Sequence, residues 1–172
     1  EKGFQVATKN TSTGAITTRM SSGMPDLTGL SISDVATGST LTLAADTISV
    51  VNYTGAAAAA CTLPAATAGT VVVYAQAKDT TGGTATLSFD CAGSDVYATG
   101  SVIESRGSSE VTFDTSAASE TLLTFTPANA ATNLFTTGSM IAFICYEDGT
   151  YHIASKMGGA ADATTGAFAF AS

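Results

Sequence analysis

From about residue 40 onward, apolar side chains recur at every second position, which is the spacing of a strand with one dry face and not that of a helix. In TLTLAADTISVV, Leu41 and Leu43, then Ile48 and Val50, face one way and Thr or Ser the other. The same alternation predicts strands over residues 70–77, 84–91, 110–114, 121–126, 140–146 and 150–155. Gly with Asp or Ser punctuates them at 79–83, 92–95, 105–108 and 147–149, where a turn needs positive φ. Ala56–Ala60 could favour a helix, but it lies between Gly55 and Pro64 and reads as a loop or edge strand. Evenly spaced short strands predict an all-β fold, an antiparallel β-sandwich or jelly-roll-like domain over residues 39–157. Its inward faces are expected to carry Leu41, Leu43, Val71, Val73, Leu87, Phe89, Val111, Phe113 and Ile153.

Three stretches break this pattern. In residues 140–146, Met140, Ala142 and Ile144 share one face while Ile141, Phe143 and Cys145 share the other, so both faces avoid water. One face suits the core; the face with Ile141, Phe143 and Cys145 is expected to meet another subunit, with cover by the N-terminal arm as the alternative. Residues 1–38 are rich in Thr, Ser and Gly with no sustained period, and read as an extended arm docking Phe4, Val6, Met20, Met24 and Leu27 on another protein. Residues 158–172 form a loose tail ending in AFAFAS, where Phe168 and Phe170 lie on one side, as in a strand added to a sheet edge.

Composition narrows the function. Only 12% of the 172 residues are charged, too few Glu and Lys to cover long surface helices, which excludes an all-α fold. The length fits one domain with an ordered arm. The net charge of −8 and the scattered Lys2, Lys9, Arg19, Lys78, Arg106 and Lys156 argue against a nucleic-acid partner. No apolar run reaches membrane-spanning length, and EKGFQVATKN does not read as a signal peptide. The three cysteines, Cys61, Cys91 and Cys145, read as buried free thiols, with one disulfide and a spare as the alternative, and mildly favour folding in a reducing cytosol.

Candidate chemistry is sparse. His152 is the sole imidazole, on a strand face shared with Ala154 and Lys156, and no nucleophile elbow accompanies it. Asp90, Asp95, Glu104, Asp114 and Glu120 sit in turns and on polar strand faces, as solvated carboxylates do. Loop calcium at Asp90 and Asp95, or at Glu147 and Asp148, lacks the EF-hand pattern. The zinc spacings, phosphate loops and dinucleotide fingerprints are missing, so no enzyme activity, cofactor or metal is expected. The sequons at Asn10 and Asn52 are too short a pattern to weigh in a Thr-rich chain.

Three segments carry a resemblance: residues 40–76 with their Leu63-Pro64-Ala65 loop, the glycine turn into TATLSFDCAGSD, and the closing hairpin GSMIAFICYEDGTYHIAS. Together they resemble small β-rich virion modules of tailed bacteriophages, notably cyanophage and marine-phage decoration (cement) proteins and fibre-associated modules. Tyr151 stands where that pattern often has Trp, and residues 1–38 have no counterpart in it. The resemblance implies a non-enzymatic coat that stabilises the shell from outside. It also implies a homo-oligomer, commonly a trimer, bound to the major capsid protein on the capsid exterior of a virion assembled in the host cytoplasm. Two other readings remain: a tail-fibre or adhesin-type receptor or carbohydrate-binding module, and a subunit of a polymerising surface filament. The first needs aromatic platforms; there is no Trp, and Tyr53, Tyr97 and Tyr151 are the tyrosines expected at a surface.

Overall fold

The computed structural model describes residues 8–9, 16–17, 31–35, 40–78, 80, 85–106, 111–126, 137–156 and 167–172. Strands run through all of these stretches except residue 80, and none of the described residues is helical. The first six strands are β1 (Thr8–Lys9), β2 (Ile16–Thr17), β3 (Ser31–Val35), β4 (Thr40–Thr42), β5 (Thr47–Val51) and β6 (Ala59–Thr62). Next come β7 (Val71–Gln76), β8 (Leu87–Asp90), β9 (Val96–Tyr97), β10 (Val102–Arg106) and β11 (Val111–Thr115). The chain closes with β12 (Leu122–Thr126), β13 (Met140–Glu147), β14 (Thr150–Lys156) and β15 (Ala167–Ala171).

Two larger sheets hold most of these strands. One has six, in the order β3-β5-β7-β13-β14-β9; the other has five, in the order β15-β12-β8-β6-β4. β1 pairs with β2, and β10 with β11, as separate antiparallel ladders. From β3 to β8 the chain alternates between the two large sheets, so each return to a sheet runs in the same direction as the visit before. β3, β5 and β7 are therefore parallel neighbours, as are β4, β6 and β8. Both sheets are mixed, which corrects the expectation of a purely antiparallel domain. Alternation reports which face is dry but not which strand lies alongside, and a parallel neighbour requires an intervening crossover, here a strand in the opposite sheet. In the second half β7-β13-β14 and β8-β12-β15 are antiparallel neighbours, while β9 runs parallel to β14 at the sheet's edge.

The sheets share one core. Leu41, Leu43, Cys61, Leu87, Phe89, Leu123, Phe125 and Phe168 come from the five-stranded side; Val51, Val72, Tyr74, Ile141, Phe143, Cys145 and Tyr151 come from the six-stranded side. Rings from the two sides meet: Tyr74 and Phe89 stand edge to face, 5.1 Å apart at 84°, and Phe89 lies tilted at 45° to Phe143, 5.2 Å away. The β10–β11 hairpin touches β14 of one sheet and β15 of the other, and Ile103 enters the core between them.

Several expectations change. Val71 and Val73 share the face of β7 opposite Val72, Tyr74 and Gln76, which are its inward set; Val73 is nevertheless buried, as expected, while Val71 is half-buried. On β5 the buried positions are Thr47, Ser49 and Val51, so Ile48 and Val50 lie on the outer face. Thr47 meets part of the cost of burial by donating its hydroxyl to the Ala45 carbonyl at 2.9 Å. Ile153 is half-buried against the core, while the side chains of Val111 and Phe113 lie outside the described residues. Residues 59–62 form a strand between β4 and β8, with Pro64 just beyond its end. Residues 31–35, assigned above to the arm, pair with β5 as part of the six-stranded sheet.

Candidate functional site

The three segments that carry the resemblance converge on the loop after β6. Leu63 N–H continues the ladder to the Asp90 carbonyl at 2.9 Å, and the Leu63 side chain is buried. Beyond Pro64 the loop has no strand partner, so its polar backbone needs other ones. Asp95, in the turn before β9, accepts from Ala66 N–H at 2.6 Å; Asp148, at the β13–β14 turn, accepts from Ala68 N–H at 2.8 Å. Gly149 N–H donates to Ala66 O at 2.9 Å, and Gly69 N–H donates to Cys145 O at 2.8 Å. Tyr151 donates its hydroxyl to Pro64 O at 2.9 Å. Gly69 and Gly149 take φ of 91° and 79°, values that a side chain would strain. Asp95 and Asp148, considered above as calcium ligands, thus serve as backbone acceptors, and no cluster of three or more potential metal ligands occurs among the described residues.

Beside this junction lies a shallow groove of about 370 Å³, with Thr99, Ser119, Glu147, Thr150 and His152 among its lining residues. Tyr146 stands 69% exposed next to it, with its ring edge-on to His152 at 4.9 Å. Hydroxyls, one carboxylate and an exposed ring suit a neutral polar ligand better than a reaction. The exposed tyrosine is a correction: Tyr53, Tyr97 and Tyr151 are each at most 1% exposed, whereas Tyr146 reaches solvent. Tyr146 continues the outward series Met140, Ala142, Ile144, and the register shift between Cys145 and Glu147 falls at Tyr146 itself. That series was the sequence signal for its exposure.

The reactive side chains point into the core. Cys61, Cys91 and Cys145 are free and buried, as expected. Burial pushes the thiols of Cys61 and Cys91 up to about 12 and raises Cys145 as well, which suppresses the nucleophilic thiolate. Burial likewise pushes the Tyr53 phenol up to about 12 and raises those of Tyr74, Tyr97 and Tyr151. Tyr53 donates to the Ala85 carbonyl and Tyr97 to Phe89 O at 3.0 Å. Tyr74 donates to Gln76 Oε1, and the Gln76 amide donates to Tyr53 O at 2.7 Å and to Lys78 O.

Of the proposed interface residues, Ile141, Phe143 and Cys145 lie in this chain's own core, at most 1% exposed. They offer no surface to another subunit, because both sheets direct their largest side chains to that side; the outer face of β13 carries Met140, Ala142 and Ile144 instead. Phe168 and Phe170 share one face of β15, opposite Phe125 and Leu123 of β12, so the tail strand joins its own sheet. Phe4, Val6, Met20, Met24 and Leu27 lie outside the described residues. No family model, curated protein or solved structure matches this chain.

Proposed function

We propose that this protein is a non-enzymatic virion structural protein, a decoration or cement protein that binds the major capsid protein from outside the shell as a homo-oligomer. In this reading the two facing sheets serve as a sandwich-type module, jelly-roll-like in outline, and the trimer is the form the resemblance implies. The observation that carries it is the junction at Pro64. The loop, the Asp95 turn and the closing hairpin, which carry the resemblance, are bonded into one scaffold by Asp95, Asp148, Gly149 and Tyr151. Polar groups are spent there on holding backbone in place, as a static coat requires.

The test is cosedimentation of the purified protein with shells assembled from the major capsid protein of the same source. Saturable binding at a fixed ratio, with a rise in the shell's melting temperature, supports the reading. Shells that bind no protein at micromolar concentration overturn it. A second reading, a carbohydrate-binding module, is favoured by Tyr146 and the adjoining groove. Its mark is a glycan-dependent change in Tyr146 and His152 resonances that Tyr146→Ala removes.

A further inference from the structure

Two irregularities of the backbone meet at the groove beside the Pro64 junction. The first is a bulge in β13. Cys145 pairs with Tyr151 and Glu147 with Thr150, so Tyr146 is the extra residue between them. In an uninterrupted ladder Glu147 would fall on the inward side with Cys145. The bulge brings it instead opposite Thr150, which shares a strand face with His152; all three line the groove, and Tyr146 stands exposed next to them. The Cys145 thiol donates to the Glu147 carbonyl at 2.9 Å, and His152 meets the Tyr146 ring edge-on, so both bulged residues are held in place.

The second irregularity is Ser119, which also lines the groove and has φ of 67°. A side chain in this left-handed region is strained where glycine is not. Asp46, the other such residue described, offsets the strain by accepting from Val71 N–H at 3.1 Å. Ser119 makes no comparable bond among the described residues. Its turn is fastened by its neighbours: Ala117 N–H donates to the Glu120 carboxylate at 2.6 Å, and Tyr97 N–H donates to Glu120 O at 2.8 Å. The turn therefore holds an exposed hydroxyl at the groove in a conformation that serves no bond of its own.

We infer that the groove is a subsite for a neutral pyranose, gripped by Glu147 and Ser119 with the Tyr146 ring against its C–H face. The inference rests on the carbohydrate reading above, whose ligand class it names, and does not depend on the capsid reading. Charge selects a neutral sugar. The lining has one carboxylate and no Lys or Arg, and Asp95, Glu120 and Asp148 flank it, in a chain of net charge −8. Such a site repels uronic, sialic, sulfated and phosphorylated sugars. Hydrogen-bonding capacity selects a polyol: an ionised carboxylate only accepts and suits two adjacent ring hydroxyls, while Ser119, Thr99 and Thr150 both donate and accept. A bare ammonium ion would use neither those hydroxyls nor the exposed ring. Size limits the occupant, because about 370 Å³ lies near the lower end of the range for small-molecule sites, about 300–1,000 Å³.

The test is a nuclear magnetic resonance titration of the isotope-labelled full chain. The probes are the methyl glycosides of glucose, galactose and mannose, then glucuronic and N-acetylneuraminic acids, then glucosamine. At least one neutral glycoside is expected to shift Ser119, Tyr146, Glu147 and His152 along one saturating curve, while the acids leave them in place. Glu147→Gln should weaken that binding about tenfold or more, since it replaces a charged acceptor by a neutral amide. Ser119→Gly removes the hydroxyl and keeps the positive φ, so it should hold or raise the melting temperature while weakening binding several-fold. Both residues are exposed, so these variants keep the fold, which the remaining amide resonances verify. Affinity unchanged in both variants overturns the inference, as do shifts confined to residues outside the groove. Shifts from the acids or from glucosamine as strong as those from the neutral glycosides overturn it too and leave the carbohydrate reading standing. No shift from any of these sugars at high millimolar concentration overturns both.

Discussion

Tyr151 donates its hydroxyl to the carbonyl of Pro64, 87 residues earlier, over 2.9 Å. The bond links the closing hairpin to the loop after β6 from a ring that is itself fully buried and stands edge-to-face with Phe143 at 6.4 Å. One side chain thus serves both the core and the loop. Tyr151→Phe keeps the ring and removes the donor, and is expected to cost about 1 kcal/mol because a half-buried carbonyl loses a partner. Tyr151→Ala also leaves a cavity and is expected to cost about 3–5 kcal/mol. Urea unfolding measures both, with the slope unchanged. A Phe variant as stable as wild type would show that the bond contributes nothing.

Asp95 and Asp148 hold neighbouring amides of the same loop, Ala66 and Ala68, and each should protect its own. Asp95→Ala is expected to speed amide exchange at Ala66 by at least tenfold, since a bond to an ionised acceptor is worth about 1.5–3 kcal/mol. Asp148→Ala should do the same at Ala68, and Asp95→Asn, which keeps an acceptor, should fall between wild type and Asp95→Ala. Equal exchange at both amides in every variant would mean that the loop is held by its backbone bonds alone.

Part of this architecture was legible in the sequence, and the limit is physical. Alternation located the strands around Leu87, Leu123 and Ile141, and it placed Phe168 and Phe170 on one side of a short strand. It assigned the wrong face to β5 because Ile48 and Val50 look like core residues beside Thr47 and Ser49. The packed chain instead buries the hydroxyls, since Val51 and Tyr53 continue that inward side. Parallel order was not legible, because nothing local in β5 records that β7 lies next to it. Nor was the loop clamp: Asp95 is 29 residues from Ala66, and Asp148 is 80 residues from Ala68. Turn carboxylates with such distant partners look like solvated charges until the fold is known.

Alkaline pH should unfold the domain earlier than its acidic composition suggests. Cys61 and Cys91 ordinarily titrate near 9.0 and are pushed up to about 12 by burial. Between those values the unfolded chain sheds protons that the folded chain retains, so stability falls as pH rises; below about 9 these thiols contribute no pH dependence. Each contributes about 1.4 kcal/mol per pH unit in that window, so pH 10 should reduce stability by about 2–3 kcal/mol relative to pH 8. The buried tyrosines act in the same direction above their ordinary value of 10.0. Urea midpoints at pH 8, 9 and 10 measure the effect. A midpoint constant across that range would show that the thiols reach solvent in the folded state.

The C-terminal strand should be required for the fold and not an ornament to it. β15 pairs along its whole length with β12, and Phe168 sits 5.0 Å from Phe125 with only 5% of its surface exposed. Phe170 is half-buried, its ring 5.4 Å from Tyr97, and its N–H donates to Asp114 at 2.8 Å, which ties the strand to the β10–β11 hairpin. Phe168→Ala is therefore expected to cost about 3–5 kcal/mol, and Phe170→Ala distinctly less because part of its ring already meets water. Deleting residues 167–172 removes both rings and leaves the edge of β12 unpaired, a template for association through Leu122–Thr126. The truncated chain should unfold at lower urea than Phe168→Ala alone and aggregate on refolding. Thermal and urea unfolding with light scattering follow the series. A truncated chain as stable and as soluble as Phe168→Ala would show that the strand contributes no more than one buried ring.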